Sequence, residues 1–154
     1  MKNMARKLTS IVASLFLLAV PGISPLRAEG PAPKPAAASL VVVKPILSAS
    51  ATSSGQPIVL PQKDVQVIAS TYDIAPGAVL PRHKHPFPRY AYVLAGTLQV
   101  TNDDIGKTET YRQGDFILEA VGQWHHAVND GPEAVKLMVI DMVEKGKPNV
   151  ILQK

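Results

Sequence analysis

An all-β fold of antiparallel strands is the class this sequence predicts, and three observations carry the prediction. From Val65 onward, short β-rich runs alternate with turn residues: VQVIASTYDI then APG, RYAYVL then AG, TLQV then TNDDIG, TETY then RQG, DFIL, and VKLMVIDMV then EKGKPN. No stretch carries the apolar spacing of a long amphipathic helix, and no internal repeat is visible. Runs of this length and spacing suit one antiparallel barrel or sandwich, and about 115 residues is ample for a single core. One domain is therefore expected over residues 65–154.

The residues ahead of it read differently. Lys2, Arg6 and Lys7 precede the apolar run IVASLFLLAV (Ile11 to Val20), and Pro21 and Gly22 follow. Basic, apolar and breaker regions in that order predict a secretory signal peptide over residues 1–28, and the apolar run is short for a bilayer. Cleavage is expected after Ala28. Leu26 stands where a smaller residue is preferred, which leaves an uncleaved anchor as the alternative. Residues 29–39 (EGPAPKPAAAS) hold too few large apolar groups to offset backbone ordering and read as a Pro/Ala-rich spacer. Residues 40–64 mix β-branched runs with ASATSSG and suggest edge strands or an arm, a surface for homodimer contacts.

The full chain carries 16 basic and 12 acidic residues, a net charge of +4. Lys2, Arg6, Lys7 and Arg27 all fall within residues 1–28, so the mature chain is near neutral. The basic balance belongs to the export signal, and neither a nucleic-acid surface nor a membrane span after processing is expected. The expected location is the periplasm, with secretion as the alternative. Cysteine is absent, which excludes disulfides and thiolate chemistry.

The functional signal is a set of histidines. His83 and His85 lie in GAVLPRHKHPFPRYAYVLAG, from Gly77 to Gly96, and His125 lies in GDFILEAVGQWHHAVN, from Gly114 to Asn129. Imidazole is the commonest metal ligand, and a strand sends alternate side chains to one face, so His83 and His85 can reach one ion together. A third histidine from another strand completes a facial set. His126, next to His125, should point to the opposite face.

The spacing of these residues resembles the cupin superfamily, in particular its small single-domain members. In the family's first motif, Gly77, His83, His85 and Gly96 fall in place, but Arg89 occupies the usual Glu position. In the second, Gly114, Gly122, His125 and Asn129 match, with Ala120 where proline is usual. The resemblance covers roughly Gln66 to Val143. It implies a jelly-roll β-barrel and one divalent metal ion (iron, manganese, zinc or nickel) held by His83, His85 and His125. It also implies a dioxygenase-like activity on a small organic anion, with a non-catalytic ligand- or metal-binding module as the alternative.

Arg89 sharpens the question, because a guanidinium has no acceptor and cannot replace a carboxylate ligand. It either enters the pocket and pairs a substrate carboxylate, or turns to solvent or an acidic partner. If a carboxylate ligand is needed, Glu119 is the acidic residue inside a motif near the end of its strand, with an outward orientation the expected one. Tyr90, Tyr92 and Trp124 are candidate substrate contacts, against which core packing is the commoner role. HPFPR is a rigid turn leading into the strand that begins at Arg89. Gly96 and Gly114 suit positive-φ turns, Gly122 allows the close loop that presents His125, and Asn129 suits a loop-holding amide. No nucleophile–base pair or phosphate loop is evident.

Overall fold

The computed structural model describes residues 41–154, so the expected signal peptide, the spacer and Leu40 lie outside the described residues. Nine strands follow one another: β1 (Val65–Ile74), β2 (Val79–Lys84), β3 (Arg89–Ala95), β4 (Thr97–Asn102), β5 (Lys107–Arg112), β6 (Phe116–Leu118), β7 (His125–Val128), β8 (Val135–Glu144) and β9 (Ile151–Leu152). The described residues contain no helix. Two antiparallel sheets form, one ordered β1-β8-β3-β6 and the other β5-β4-β7-β2-β9. A closed barrel was the sequence expectation, and the sheets correct it, because no ladder joins the edges of one to the other. The reason is visible at two edges: β6 has three residues and β9 two, too few to carry pairing onward.

Alternation along the strands builds the core. In β8, Val135, Leu137, Val139, Asp141 and Val143 are buried while the residues between them are more open. In β3, Arg89, Ala91 and Val93 take the same inward face. Ile74, Leu98, Ile117 and Ala127 join them between the sheets. This period of two places inward residues on facing sheets into one apolar layer. At the β3–β4 turn only glycine fits: Gly96 has φ +77°, and a Cβ there would lie 2.7 Å from the Ala134 carbonyl oxygen.

One irregularity decides the site. β2 pairs with β7 at Leu80↔Ala127 and again at His83↔His125, so β2 holds one more residue than its partner between those points. Pro81, which has no N–H, lies within this bulge. In a regular strand Leu80 and His83, three residues apart, would face opposite ways; the bulge absorbs the extra residue, and both line the interior.

Residues 42–49 carry no ladder, and a bridged turn from Ala51 to Pro57 follows them. Gln56 fastens that turn to the domain. Its Nε2 donates to the Val121 carbonyl at 2.9 Å and its Oε1 accepts from the Val121 N–H at 2.9 Å. Ser53 N–H donates to the Leu118 carbonyl at 2.8 Å. Gln56→Ala leaves both Val121 groups without their partner and should cost about 1–3 kcal/mol in urea unfolding. A change within about 0.5 kcal/mol, the range of ordinary surface substitutions, would show that the turn is not fastened there.

Candidate metal centre

His83, His85, Glu119 and His125 converge, each offering one ligand atom, and these four atoms all lie within 4.8 Å of one another. β2 supplies His83 and, one residue past its end, His85; β7 supplies His125; and Glu119 follows β6. The ring centroids stand 4.3 Å apart for His83–His125 and 4.9 Å for the other two pairs. All three histidines are buried.

Backbone carbonyls orient every ring. Nδ1 of His83 faces the Pro81 carbonyl at 2.6 Å, Nδ1 of His85 the Asn149 carbonyl at 2.5 Å, and Nδ1 of His125 the Gln123 carbonyl at 3.0 Å. A carbonyl only accepts, so each Nδ1 carries a proton, and in the neutral ring each Nε2 keeps its lone pair, directed inward. Oε2 of Glu119 stands 2.9 Å from Nε2 of His85 and 3.0 Å from Nε2 of His125. Neither contact is aligned as a hydrogen bond, and both Nε2 atoms are buried without a hydrogen-bond partner. Close, misaligned and unpartnered donors are what ligands aimed at a common point look like. The residues therefore fit a divalent ion, with three imidazoles and one carboxylate as the donor set.

The protonation of His83 and of Glu119 agrees with that use. Burial, opposed by the Pro81 carbonyl and reinforced by the two neighbouring histidines, lowers His83 to about 4, so it is neutral at neutral pH. Burial alone would raise the Glu119 carboxyl, but His125 and His85 hold it well below the usual carboxylate range. For His125, burial pulls the pKa down and the Glu119 carboxylate more than offsets it, leaving it raised.

Glu119 is the residue that sequence reasoning turned the wrong way. Its expected outward orientation is corrected: it shares a face with buried Ile117, two residues before it, and reaches the histidines. It supplies the carboxylate that Arg89 cannot. Arg89 in turn points inward and is 6% exposed, with Nε 2.7 Å from Oδ1 and Nη2 2.9 Å from Oδ2 of Asp141, the residue directly opposite it on β8. Its fork is thus taken by an acidic partner, while the side chain still borders the cavity beside His83 and Glu119.

The three aromatic candidates are not brought to the histidines. Tyr90 and Tyr92 alternate with buried Arg89, Ala91 and Val93, so they stand on the outer face of their sheet, each 6.4 Å from the Phe116 ring. Trp124 lies outside the cavity walls, its ring 5.6 Å from the Arg82 guanidinium and 4.6 Å from the Lys84 ammonium. His126 points away from His125 as expected and meets Asp103 at 3.1 Å. Asn129 is fully buried and holds its loop, with Nδ2 donating to the Ile74 and Glu133 carbonyls at 2.9 and 2.8 Å.

Two small cavities flank the cluster, each about 20 Å³, room for one water-sized guest. The inner one is apolar apart from Arg89, Tyr72 and the ligands themselves, with Leu80, Leu98 and Val139 among its walls. The outer one is mixed, with Asn102, Lys107 and Glu109 as well as Val100 and Ile117 at its border, and Ser53 of the Ala51–Pro57 turn lines it too.

Residues 70–141, which include all four converging side chains, match the family described as the cupin domain. This domain is a cupin. Among solved structures, the cupin domain is similar to a double-stranded β-helix protein from Klebsiella pneumoniae, at 24% identity and TM-score 0.46, covering 64% of this chain and 83% of that one. It is similar to the polyketide cyclase RemF from Streptomyces resistomycificus, at 22% identity and TM-score 0.49, covering 64% and 71%. It is also similar to the DMSP lyase DddQ from Ruegeria pomeroyi, at 19% identity and TM-score 0.50, covering 64% and 47%. At these identities the likeness concerns the fold. No curated protein matches the chain.

Proposed function

We propose that the cupin domain holds one divalent metal ion through His83, His85, His125 and Glu119 and acts, in a dioxygenase-like manner, on a small organic anion. The observation that carries this is the set of inward Nε2 atoms, their Nδ1 positions already committed to carbonyls, closing on one carboxylate. The ion would supply Lewis acidity and, if iron or manganese, redox chemistry. The chain's own residues supply the rest. His83, His85 and His125 would hold the ion, Leu80, Leu98 and Val139 give the inner cavity an apolar wall, and Asp141 holds Arg89 at its border. An organic anion needs more than the present space, so the Ala51–Pro57 turn must move aside to admit one.

That same closure favours a second reading, a non-catalytic module that holds a metal or a small ligand. Oxygen consumption by the ferrous-loaded protein with candidate acids, thiols and diketones separates the two.

We infer further that the chain is exported to the periplasm, because Lys2, Arg6 and Lys7 precede an apolar run and a breaker. A second copy is the expected partner of the outer sheet face. Cross-strand register there aligns Ala69, Ile140, Tyr90 and Leu118 in one row and Thr71, Met138, Tyr92 and Phe116 in the next, and Val67 beside them is 60% exposed. Protein purified from the periplasm tests these together. Elemental analysis should find one metal ion per chain, lost in His83→Ala and His125→Ala. Mass spectrometry should find Glu29 as the first residue, and light scattering should find a dimer. Absence of stoichiometric metal, or its retention in both variants, overturns the metal reading; the mass and the scattering decide export and dimer separately.

A further inference from the structure

The cupin match ends at Asp141, yet the histidine pair is gripped by residues beyond it. β9 pairs with β2, Leu152 opposite His83 and Ile151 opposite Lys84, and Gln153 N–H donates to the Arg82 carbonyl at 3.0 Å. Just ahead of β9 stands Asn149, 8% exposed, with its carbonyl and both side-chain atoms engaged. Its carbonyl accepts from His85 Nδ1 at 2.5 Å, its Oδ1 accepts from Phe87 N–H at 2.9 Å, and its Nδ2 donates to Asp141 Oδ1 at 2.6 Å. Pro86 and Pro88 have no N–H, so Phe87 offers the one amide donor between His85 and Arg89. Asn149 takes that donor and His85 together.

We propose that Asn149 is a positioning residue for His85, setting the ring's orientation through its carbonyl while its side chain anchors that carbonyl to Asp141. This rests on the metal reading above. A backbone carbonyl can hold an imidazole only as well as it is itself held, and here the anchor is a buried carboxylate already fixed by Arg89. Arg89, at the cavity wall, is thereby connected to His85 through Asp141 and Asn149. Asn149 serves the donor set from outside the matched region, and the exposed Gln153 side chain, 2.7 Å from Arg82 Nη1, offers a control on the same segment.

Cobalt(II) added to the full chain is the probe, with affinity read by competition with a chromophoric chelator and geometry read from the visible absorption bands. Asn149→Ala should bind Co(II) about 10–100-fold more weakly than the wild type and shift its bands, the usual cost of losing a group that orients a metal ligand. Gln153→Ala should match the wild type in both. If Asn149→Ala does not unfold cooperatively, Asn149→Leu decides, since it fills a similar volume and loses the donor to Asp141 without setting a second carboxylate beside it. Wild-type affinity and bands in the folded Asn149 variant overturn the proposal. Failure of the wild type itself to take up Co(II) overturns the metal reading and this proposal with it, a result distinguishable from loss in the variant alone.

Discussion

Glu119→Gln weakens divalent metal binding by at least about 100-fold, the upper range for residues that only support a ligand, because this residue is itself a ligand. An amide keeps the shape and one oxygen but loses the charge that offsets the ion. The site offers no substitute. Asp141 is committed to Arg89 and Asn149, and among the described residues the converging set holds no second carboxylate. Chelator competition on folded wild type and variant measures the effect. Affinity within a few-fold of the wild type would mean that Glu119 merely neighbours the histidines.

Asp141→Ala is expected to cost about 3–5 kcal/mol in urea-monitored unfolding of the metal-free protein, as breaking a buried ion pair from one side does. The Arg89 guanidinium, 6% exposed, stays protonated but would lose its hydrogen-bonded counter-ion, leaving burial, which disfavours the charge, opposed mainly by the more distant Glu119. Asn149 Nδ2 would lose its acceptor as well. The double variant Arg89→Met/Asp141→Leu removes both charges and should recover most of that loss, because a buried pair is often replaceable by apolar groups of similar size. A single variant costing less than about 1 kcal/mol would contradict the geometry described for this pair.

Much of the fold is legible in local pattern. VQVIASTYDI is β1 to the residue, and VKLMVIDMV lacks only Glu144 of β8, because β-branched runs between turn residues leave little choice of element. His83 and His85 are legible as a pair, since their separation of two puts them on one face of any extended strand. That His125 stands opposite His83 rests on pairing across β2 and β7, for which spacing supplied only the family's likeness.

Glu119 was not legible for a specific reason. In FILEA, either Phe116 and Leu118 or Ile117 can be the inward set, and two large apolar residues outweigh one. The first choice turns Glu119 out. The chain takes the second, because the outer face of this sheet is itself apolar, with Tyr90, Tyr92 and Met138 beside Phe116. The same inversion explains the tyrosines: an outer face rich in aromatics imitates a pocket lining in sequence. Alternation from buried Ile117 would have found Glu119, had the inward set been known.

By itself the sequence determined the class of fold, the strands with strong period-two signals, and three histidines able to share an ion, because these depend on residues close along the chain. Tertiary structure alone decided which carboxylate joins them, where Arg89 finds its counter-charge, and that Asn149 steadies His85. Each of those is a meeting of residues from different strands, set by register, by the β2 bulge and by which sheet face is buried. Local preference carries no information about such meetings until the strands have paired.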